Sequence, residues 1–242
     1  MKSSHCLLAC LLCGVALSCH ALEFKVAMIQ LERWTMPDPA NPGQYIGIVP
    51  EVLREIEKRS GHTVRGYITP YARVEDDLER GVVDFSFMAW GPQRARYANK
   101  GAVGFPLQFG VWAIRGVPLK SYQDLQGLKI SVTRGLKVEP QFDMDQHLDK
   151  AYDLDYTVGI HKAKLRRVHA VAGSRSTIRT IIVRQGLQEY FGDFLPLKTT
   201  DAAIAFSKKA PQLAHQTVID TLIQQMVADG TMKKIAGKWL LE

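Results

Sequence analysis

Few residues of this 242-residue sequence have the types and spacing that covalent or metal chemistry requires. His161 and His169 lack neighbours at the spacing of metalloprotease ligands. Residues 173–176 (GSRS) do not form a nucleophile elbow, and there is no glycine-rich phosphate loop or dinucleotide fingerprint. We therefore expect no metal site and no cofactor.

The first 21 residues have the layout of a secretory signal peptide. A short positive start is followed by an apolar stretch over residues 6–17 and by small residues up to Ala21. We expect cleavage after Ala21 and export to the periplasm; the alternative is lipid attachment at Cys19. All four cysteines lie in this segment, so the mature chain has neither a disulfide nor a thiol site. No later stretch is long and apolar enough to suggest a membrane helix.

The chain is basic, with a formal net charge of +7. Export argues against nucleic acid as a partner, and most of the basic residues are scattered. The exception is a cluster between Lys162 and Arg167, which a solvated helix face explains better than a binding patch. A mild positive field favours a small anionic or zwitterionic solute.

The elements that must position any site alternate between strands and helices. Apolar runs predict strands over residues 24–31, 63–68 and 82–88, with helices between them that end at Gly61 and Gly81. This β-α-β-α-β order indicates a parallel sheet covered on both faces. Shorter runs predict strands at 109–114, 129–133 and 202–206, and residues 211–239 read as helical with breaks at Gly230 and Gly237.

Five segments, in order, resemble landmarks of the bacterial extracellular solute-binding proteins of family 3, the periplasmic amino-acid-binding type. They span nearly the whole mature chain, although the fit is poor between Val138 and Gly186. The segments are residues 47–53 (GIVPEVL), 78–84 (LERGVVD), Arg94 with the later Phe105-Pro106, residues 121–129 (SYQDLQGLK), and residues 229–235 (DGTMKKI) with Lys238-Trp239.

The resemblance implies an α/β fold of the type II periplasmic-binding-protein kind, with two lobes joined by two hinge strands. Lobe 1 would comprise residues 22–108 plus 208–242, and lobe 2 residues 109–207, with hinge crossings near 109–114 and 202–207. The ligand would lie in the cleft between the lobes, where helix amino termini offer free N–H groups to an anion.

In lobe 1, the family's arginine corresponds to Arg94, which would hold a ligand carboxylate through two parallel hydrogen bonds. A surface arginine in a turn is the alternative. Gly91 stands where the family usually has a threonine, so a hydroxyl donor is missing. Trp34 would stack on the ligand, or else pack within its own loop. Trp90 resembles a second wall of the cleft, and Ser86 is a further candidate contact.

In lobe 2, Gly135 and Lys137 fall where the family has a glycine-threonine pair at a helix amino terminus, and they could serve an anion. The family's ammonium-binding aspartate corresponds to Ser174. Serine cannot neutralise an ammonium group, and the neighbouring Arg175 would repel one. The ligand is therefore expected to lack an α-amino group.

The resemblance implies a monomeric binding protein that delivers a carboxylate-bearing solute, an amino acid or related organic acid, to an ABC-type membrane transporter. Two alternatives remain open. The same fold could deliver a ligand signal to a membrane kinase or cyclase. It could also be a lyase, since periplasmic cyclohexadienyl dehydratases share this fold; Glu139 is then the only nearby candidate for the general acid.

Overall fold

The computed structural model describes residues 21–241 of the chain. The predicted signal peptide, including Cys19, lies outside the described residues except for Ala21. Elements are numbered in chain order below.

The first part of the described chain alternates strands and helices as predicted. Strand β1 pairs in parallel with β4 and with β5. The helices end where glycine was expected to end them, because Gly61 (φ 68°) and Gly81 (φ 73°) adopt the left-handed conformation. The elements are β1 (Glu23–Ile29), β2 (Met36–Pro37), β3 (Tyr45–Ile46), α1 (Ile48–Ser60), β4 (Thr63–Thr69), α2 (Tyr71–Arg80) and β5 (Phe85–Ala89).

The middle of the chain begins with one long strand and then returns to the same alternation. Strand β7 pairs in parallel with β8 and β9, and β9 pairs antiparallel with the long strand β6. A short turn of 3₁₀ helix follows Ser121, which forms a capping box with Asp124. The elements are β6 (Ala98–Ile114), β7 (Lys129–Thr133), α3 (Pro140–Met144), β8 (Asp149–Asp153), α4 (Tyr156–Lys164), β9 (Ala170–Ser174) and α5 (Arg175–Arg184).

The last part comprises β10 (Phe191–Ser207), α6 (Gln216–Ala228) and α7 (Thr231–Trp239). Strands β6 and β10 are 17 residues each and pair antiparallel along most of their length. The sequence predicted only 109–114 and 202–206 as strands, because Gly101, Gly104 and Pro106 interrupt the apolar pattern. The exact lobe boundaries remain a prediction.

All strands except β2 and β3 form one sheet in the order β4-β1-β5-β10-β6-β9-β7-β8. Strand β5 pairs with Ala202–Phe206 of β10, whereas β9 pairs with Phe109–Ala113 of β6. The two long strands therefore join one group of parallel strands to the other. This arrangement confirms the predicted α/β class and places the carboxyl ends of β1, β5 and β9 near one another.

None of the helices within residues 21–241 has both the length and the apolar character needed to cross a membrane.

Candidate functional site

Two small cavities lie side by side where the two groups of strands meet, and both are lined by Ala89. The first, here called the inner cavity, has a volume of about 20 Å³, room for about one water molecule. Its lining is mostly apolar and comes from both groups of strands: Ile29, Leu31, Trp34, Tyr71, Ala89, Leu107, Phe109, Leu136, Tyr156 and Ser174.

The second cavity, here called the outer groove, is polar and has a volume of about 30 Å³. The loop after β5 forms one wall, the segment leading into α3 forms the other, and β10 contributes two residues. Two lysines and two acids line it, so its formal charges are balanced apart from Arg94. The main lining residues are Trp90, Gly91, Gln93, Arg94, Lys137, Glu139, Asp143, Lys198 and Thr200.

Trp34 reaches from the loop after β1 to helix α5. Its backbone carbonyl accepts a hydrogen bond from the Val49 N–H at the start of α1, which anchors the loop. The ring is only 3% exposed and lies about 6 Å from the rings of Phe87 and Phe105. Its Nε1–H donates to Thr177 Oγ1 at 3.1 Å. Trp34 therefore bridges the two halves of the molecule rather than packing only within its own loop.

Ser174 ends β9 and caps α5, and it lines the inner cavity. Its hydroxyl accepts from the Thr177 N–H at 3.4 Å and from the Thr177 hydroxyl at 3.0 Å. Its own N–H donates to the Tyr156 hydroxyl at 3.1 Å. The indole N–H of Trp34 is thus linked through Thr177 to the amino terminus of α5, where the resemblance places the ammonium-binding group of other family members.

Arg94 is buried, with 1% exposure, and its guanidinium is held by the protein itself. Nε donates to Glu75 Oε2 at 2.9 Å, and Nη2 donates to Glu75 Oε1. Nη1 donates to the Ala89 carbonyl at 2.6 Å, and Nη2 also donates to the Tyr71 hydroxyl at 2.9 Å. Burial raises the pKa of Tyr71 to about 12, so this hydroxyl keeps its proton at neutral pH. The predicted contact of Arg94 with a ligand carboxylate stays a prediction.

Glu75 and Tyr97 complete this arrangement, and sequence reasoning missed both. The Tyr97 hydroxyl donates to Glu75 Oε2 at 2.5 Å. The spacing of Tyr71 and Glu75, four residues apart on α2, places them on one helix face and was the available signal. Nothing local to Arg94 indicated that this face would be packed against it. Thr177 and Tyr156 were missed for the same reason.

The remaining candidate residues are divided between the cavities and other places. Trp90, Gly91 and Lys137 line the outer groove. Gly135 has φ +85° and lies so close to Ala72, at the start of α2, that an added Cβ would be 3.0 Å from the Ala72 backbone. It lets the two halves approach closely.

Gly135 lines neither cavity, and two further candidates also lie outside both. Ser86 is fully buried in β5, and its hydroxyl has no hydrogen-bond partner among residues 21–241. The Arg175 guanidinium donates to the Gln108 side chain at 3.1 Å and lies over the Phe194 ring.

The acids of the outer groove have structural roles. Glu139 caps α3, since its Oε2 accepts from the Phe142 N–H at 3.0 Å. Asp143 Oδ1 accepts from the Val138 N–H at 3.1 Å. Burial raises the pKa of Asp143 above its ordinary value, although the Val138 hydrogen bond and Lys137 act in the opposite direction.

The fold is of the type II periplasmic-binding-protein kind, with two α/β lobes joined by two long strands. Residues 35–242 match the family described as bacterial extracellular solute-binding proteins, family 3. The chain belongs to this family, which confirms the resemblance seen in the sequence. No curated protein sequence matches the chain.

Several solved structures of other proteins share this fold. A mutant of ArgBP from T. maritima is similar with a TM-score of 0.77 at 16% identity, covering 90% of this chain and 94% of that one. A substrate-binding protein of an ABC uptake transporter from Streptococcus pneumoniae, with bound histidine, gives 0.77 at 13%, covering 90% and 92%. An ancestral amino-acid-binding protein, AncCDT-1, described as a precursor of cyclohexadienyl dehydratase, gives 0.73 at 17%, covering 90% and 96%.

Proposed function

We propose that this chain is exported to the periplasm, binds a small organic solute between its lobes and delivers it to an ABC-type membrane transporter. Family membership supports the binding role. The observation that carries the proposal is that residues of both lobes line the same two cavities, as Trp34 and Ser174 do in the inner one. A solute held there contacts both lobes at once.

Such a solute acts by shifting the equilibrium between the open and the closed form of the protein. A ligand that touches both lobes binds the closed form better than the open form, so its binding favours closure. The transporter then recognises the closed form. The inner cavity has room for about one water molecule in this arrangement, so a solute enters only when the lobes separate or the Trp34 ring moves.

The proposed contacts are Trp34 and Ser174 in the inner cavity and Trp90, Gly91 and Lys137 in the outer groove. The sequence predicts an anionic or zwitterionic solute, and two of the similar structures are described as amino-acid-binding or as having bound histidine. Arg94 can bind such a solute only after its hydrogen bonds to Glu75 are broken. The first solutes to test are therefore amino acids, organic acids without an amino group, and the amides of both.

A thermal-shift screen of residues 22–242 tests the proposal. A true ligand at about a hundred times its dissociation constant stabilises the protein by near 2.7 kcal/mol. Trp34→Ala should weaken the best hit at least tenfold. Tyr152→Ala, which removes an exposed ring on β8, should leave the affinity unchanged. The proposal fails when no solute stabilises the protein, or when Trp34→Ala binds the hit as well as wild type.

We propose no catalytic role. The lyase alternative requires Glu139 as a general acid, and this carboxylate already caps α3 through the Phe142 N–H. A prephenate turnover assay on the mature protein tests this, with no turnover expected. Neighbouring genes would distinguish the sensor alternative from transport. A gene for a membrane kinase or cyclase would indicate sensing, and a gene for a permease would indicate transport.

A further inference from the structure

The guanidinium of Arg94 has almost no hydrogen-bonding capacity left for a ligand. Arginine offers five N–H donors in a planar fork. Glu75 takes the Nε and one Nη2 donor, Tyr71 takes the other Nη2 donor, and the Ala89 carbonyl takes one Nη1 donor. Only one N–H of Nη1 remains. A ligand carboxylate cannot be bound through two parallel hydrogen bonds in this arrangement.

Glu75 is equally well held. It accepts two hydrogen bonds from Arg94 and a third from the Tyr97 hydroxyl at 2.5 Å. The side chain of Arg94 is 1% exposed and that of Glu75 is 21% exposed, so water screens the pair only partly. Separating them would leave a poorly solvated charge without its partner.

We propose that Glu75 is a specificity-determining residue. Its carboxylate occupies the hydrogen-bond donors of Arg94, so the cleft excludes carboxylate-bearing solutes and selects uncharged ones. This inference rests on the proposed function and names the solute class of the same cleft. It also argues against the anionic solute that the sequence predicts.

Two physical effects produce the exclusion. An incoming carboxylate must displace Glu75 from Arg94, and it then faces the displaced negative charge at close range. Glu75, which is only 21% exposed, is then left without its partner, and we expect this cost to reduce the affinity by about a hundredfold. An uncharged solute encounters neither penalty.

The rest of the cleft suits an uncharged solute. Among residues 21–241, no charged side chain lines the inner cavity; the lining residues with polar side-chain groups are Ser174, Tyr71, Tyr156 and Trp34. In the outer groove, Lys137 and Lys198 are matched by Glu139 and Asp143. The cleft therefore presents aromatic and aliphatic walls with a few hydroxyl groups to a solute.

The test compares wild type with Glu75→Gln, which keeps the shape and removes the charge, and with Glu75→Ala, which leaves space for a carboxylate. Glu79→Gln, on the exposed side of α2, is the matched control. Binding is measured by calorimetry and thermal shift against acetate, and against matched acids and amides such as benzoate and benzamide. Sodium chloride at equal ionic strength controls for salt effects.

We expect both Glu75 variants to bind carboxylates at least tenfold more tightly than wild type, and acetate to restore stability to Glu75→Ala. Wild type and Glu79→Gln should bind no acid more tightly than its amide. The proposal is overturned when wild type prefers an acid to its amide, for example through Lys137, or when folded Glu75 variants gain no carboxylate affinity. The wild-type comparison holds even when a variant does not fold.

Failure of the proposed function would look different. No solute of any charge would then stabilise the wild-type protein, whereas acetate would still stabilise Glu75→Ala. That result would leave Glu75 as the partner of Arg94 but would overturn solute binding and the selectivity with it, whereas a wild-type preference for an acid over its amide would overturn the selectivity alone.

Discussion

At the scale of single residues, the ion pair between Arg94 and Glu75 affects both the stability of the fold and the binding properties of the cleft. Its hydrogen bonds fix the loop after β5 to helix α2, because Arg94 also donates to the Ala89 carbonyl and the Tyr71 hydroxyl. Any substitution of Arg94 therefore changes stability as well as binding. An affinity measured on Arg94→Ala has meaning only beside a measurement of its stability.

Replacing one partner of this pair should cost much more than replacing both. We expect Arg94→Met to lower the free energy of unfolding by about 3 kcal/mol, because it leaves Glu75 partly buried and unpaired. The double variant Arg94→Met with Glu75→Met should recover most of this loss, since no charge is then left alone. Urea denaturation at pH 7 measures both values.

Arg96→Met is the control for this comparison. Arg96 lies two residues away, is exposed, and donates only to the Gln93 carbonyl, so its removal should cost less than about 0.5 kcal/mol. A double variant as unstable as Arg94→Met alone would contradict the prediction and show that packing, rather than charge, dominates at this position.

Sequence reasoning located several cleft residues but not their partners. Trp34, Arg94 and Ser174 were singled out because each stands at a recognisable landmark or element end, and each lines one of the two cavities; their contact with a ligand stays a prediction. Glu75 and Thr177 were missed because their contacts join residues 19 and 143 positions apart in the chain. Such contacts depend on how helices α2 and α5 pack, which no local pattern encodes.

At the scale of elements, the turn into α1 controls where Trp34 lies. Gly47 has φ +126°, and an added Cβ would lie 2.5 Å from the Trp34 carbonyl oxygen. The same carbonyl accepts the Val49 N–H, so it has little freedom to move. The glycine of the GIVPEVL segment is therefore required both for its backbone conformation and for its close contact with the loop.

Gly47→Ala should destabilise the protein by about 1–3 kcal/mol more than Gly43→Ala. Both glycines have positive φ, so both variants carry backbone strain, and Gly47, with φ 126° and ψ −175°, has a conformation that is nearly exclusive to glycine. Only Gly47 also has a neighbour within contact distance, since nothing lies within 4 Å of an added Cβ at Gly43. Thermal or urea unfolding measures the difference. Equal losses would mean that strain alone accounts for the effect.

The elements themselves were largely predictable, and the errors have physical causes. Alternation of apolar runs and helix-ending glycines identified β1, α1, β4, α2 and β5. The long strands β6 and β10 were shortened because glycine, proline and half-exposed residues interrupt their middle. Gly237 was expected to break a helix, but α7 continues through it, since an exposed helix tolerates one glycine at a cost of about 1 kcal/mol.

At the scale of the whole molecule, hydrogen bonds that need no solute join the two predicted lobes. The Trp34 indole N–H donates to Thr177 at 3.1 Å, and the Thr157 hydroxyl donates to Glu32 at 2.8 Å. Near the carboxyl terminus, the Leu241 N–H donates to Thr180 at 2.7 Å. Each contact joins a segment assigned to lobe 1 with a helix assigned to lobe 2. The ligand-free protein should therefore populate the closed form appreciably.

Removing two of these hydrogen bonds should shift the protein toward the open form. The double variant Trp34→Phe with Thr157→Val keeps the aromatic and branched side chains but loses both bonds, about 1 kcal/mol each. A total of about 2 kcal/mol changes the open-to-closed ratio roughly thirtyfold. Small-angle X-ray scattering should then give a larger radius of gyration than for ligand-free wild type. Thr221→Val, which removes a hydroxyl bonded only within α6, should leave the radius unchanged. An equal radius in the double variant would contradict the prediction and show that the remaining contacts, among them the Leu241–Thr180 hydrogen bond, suffice to hold the lobes together.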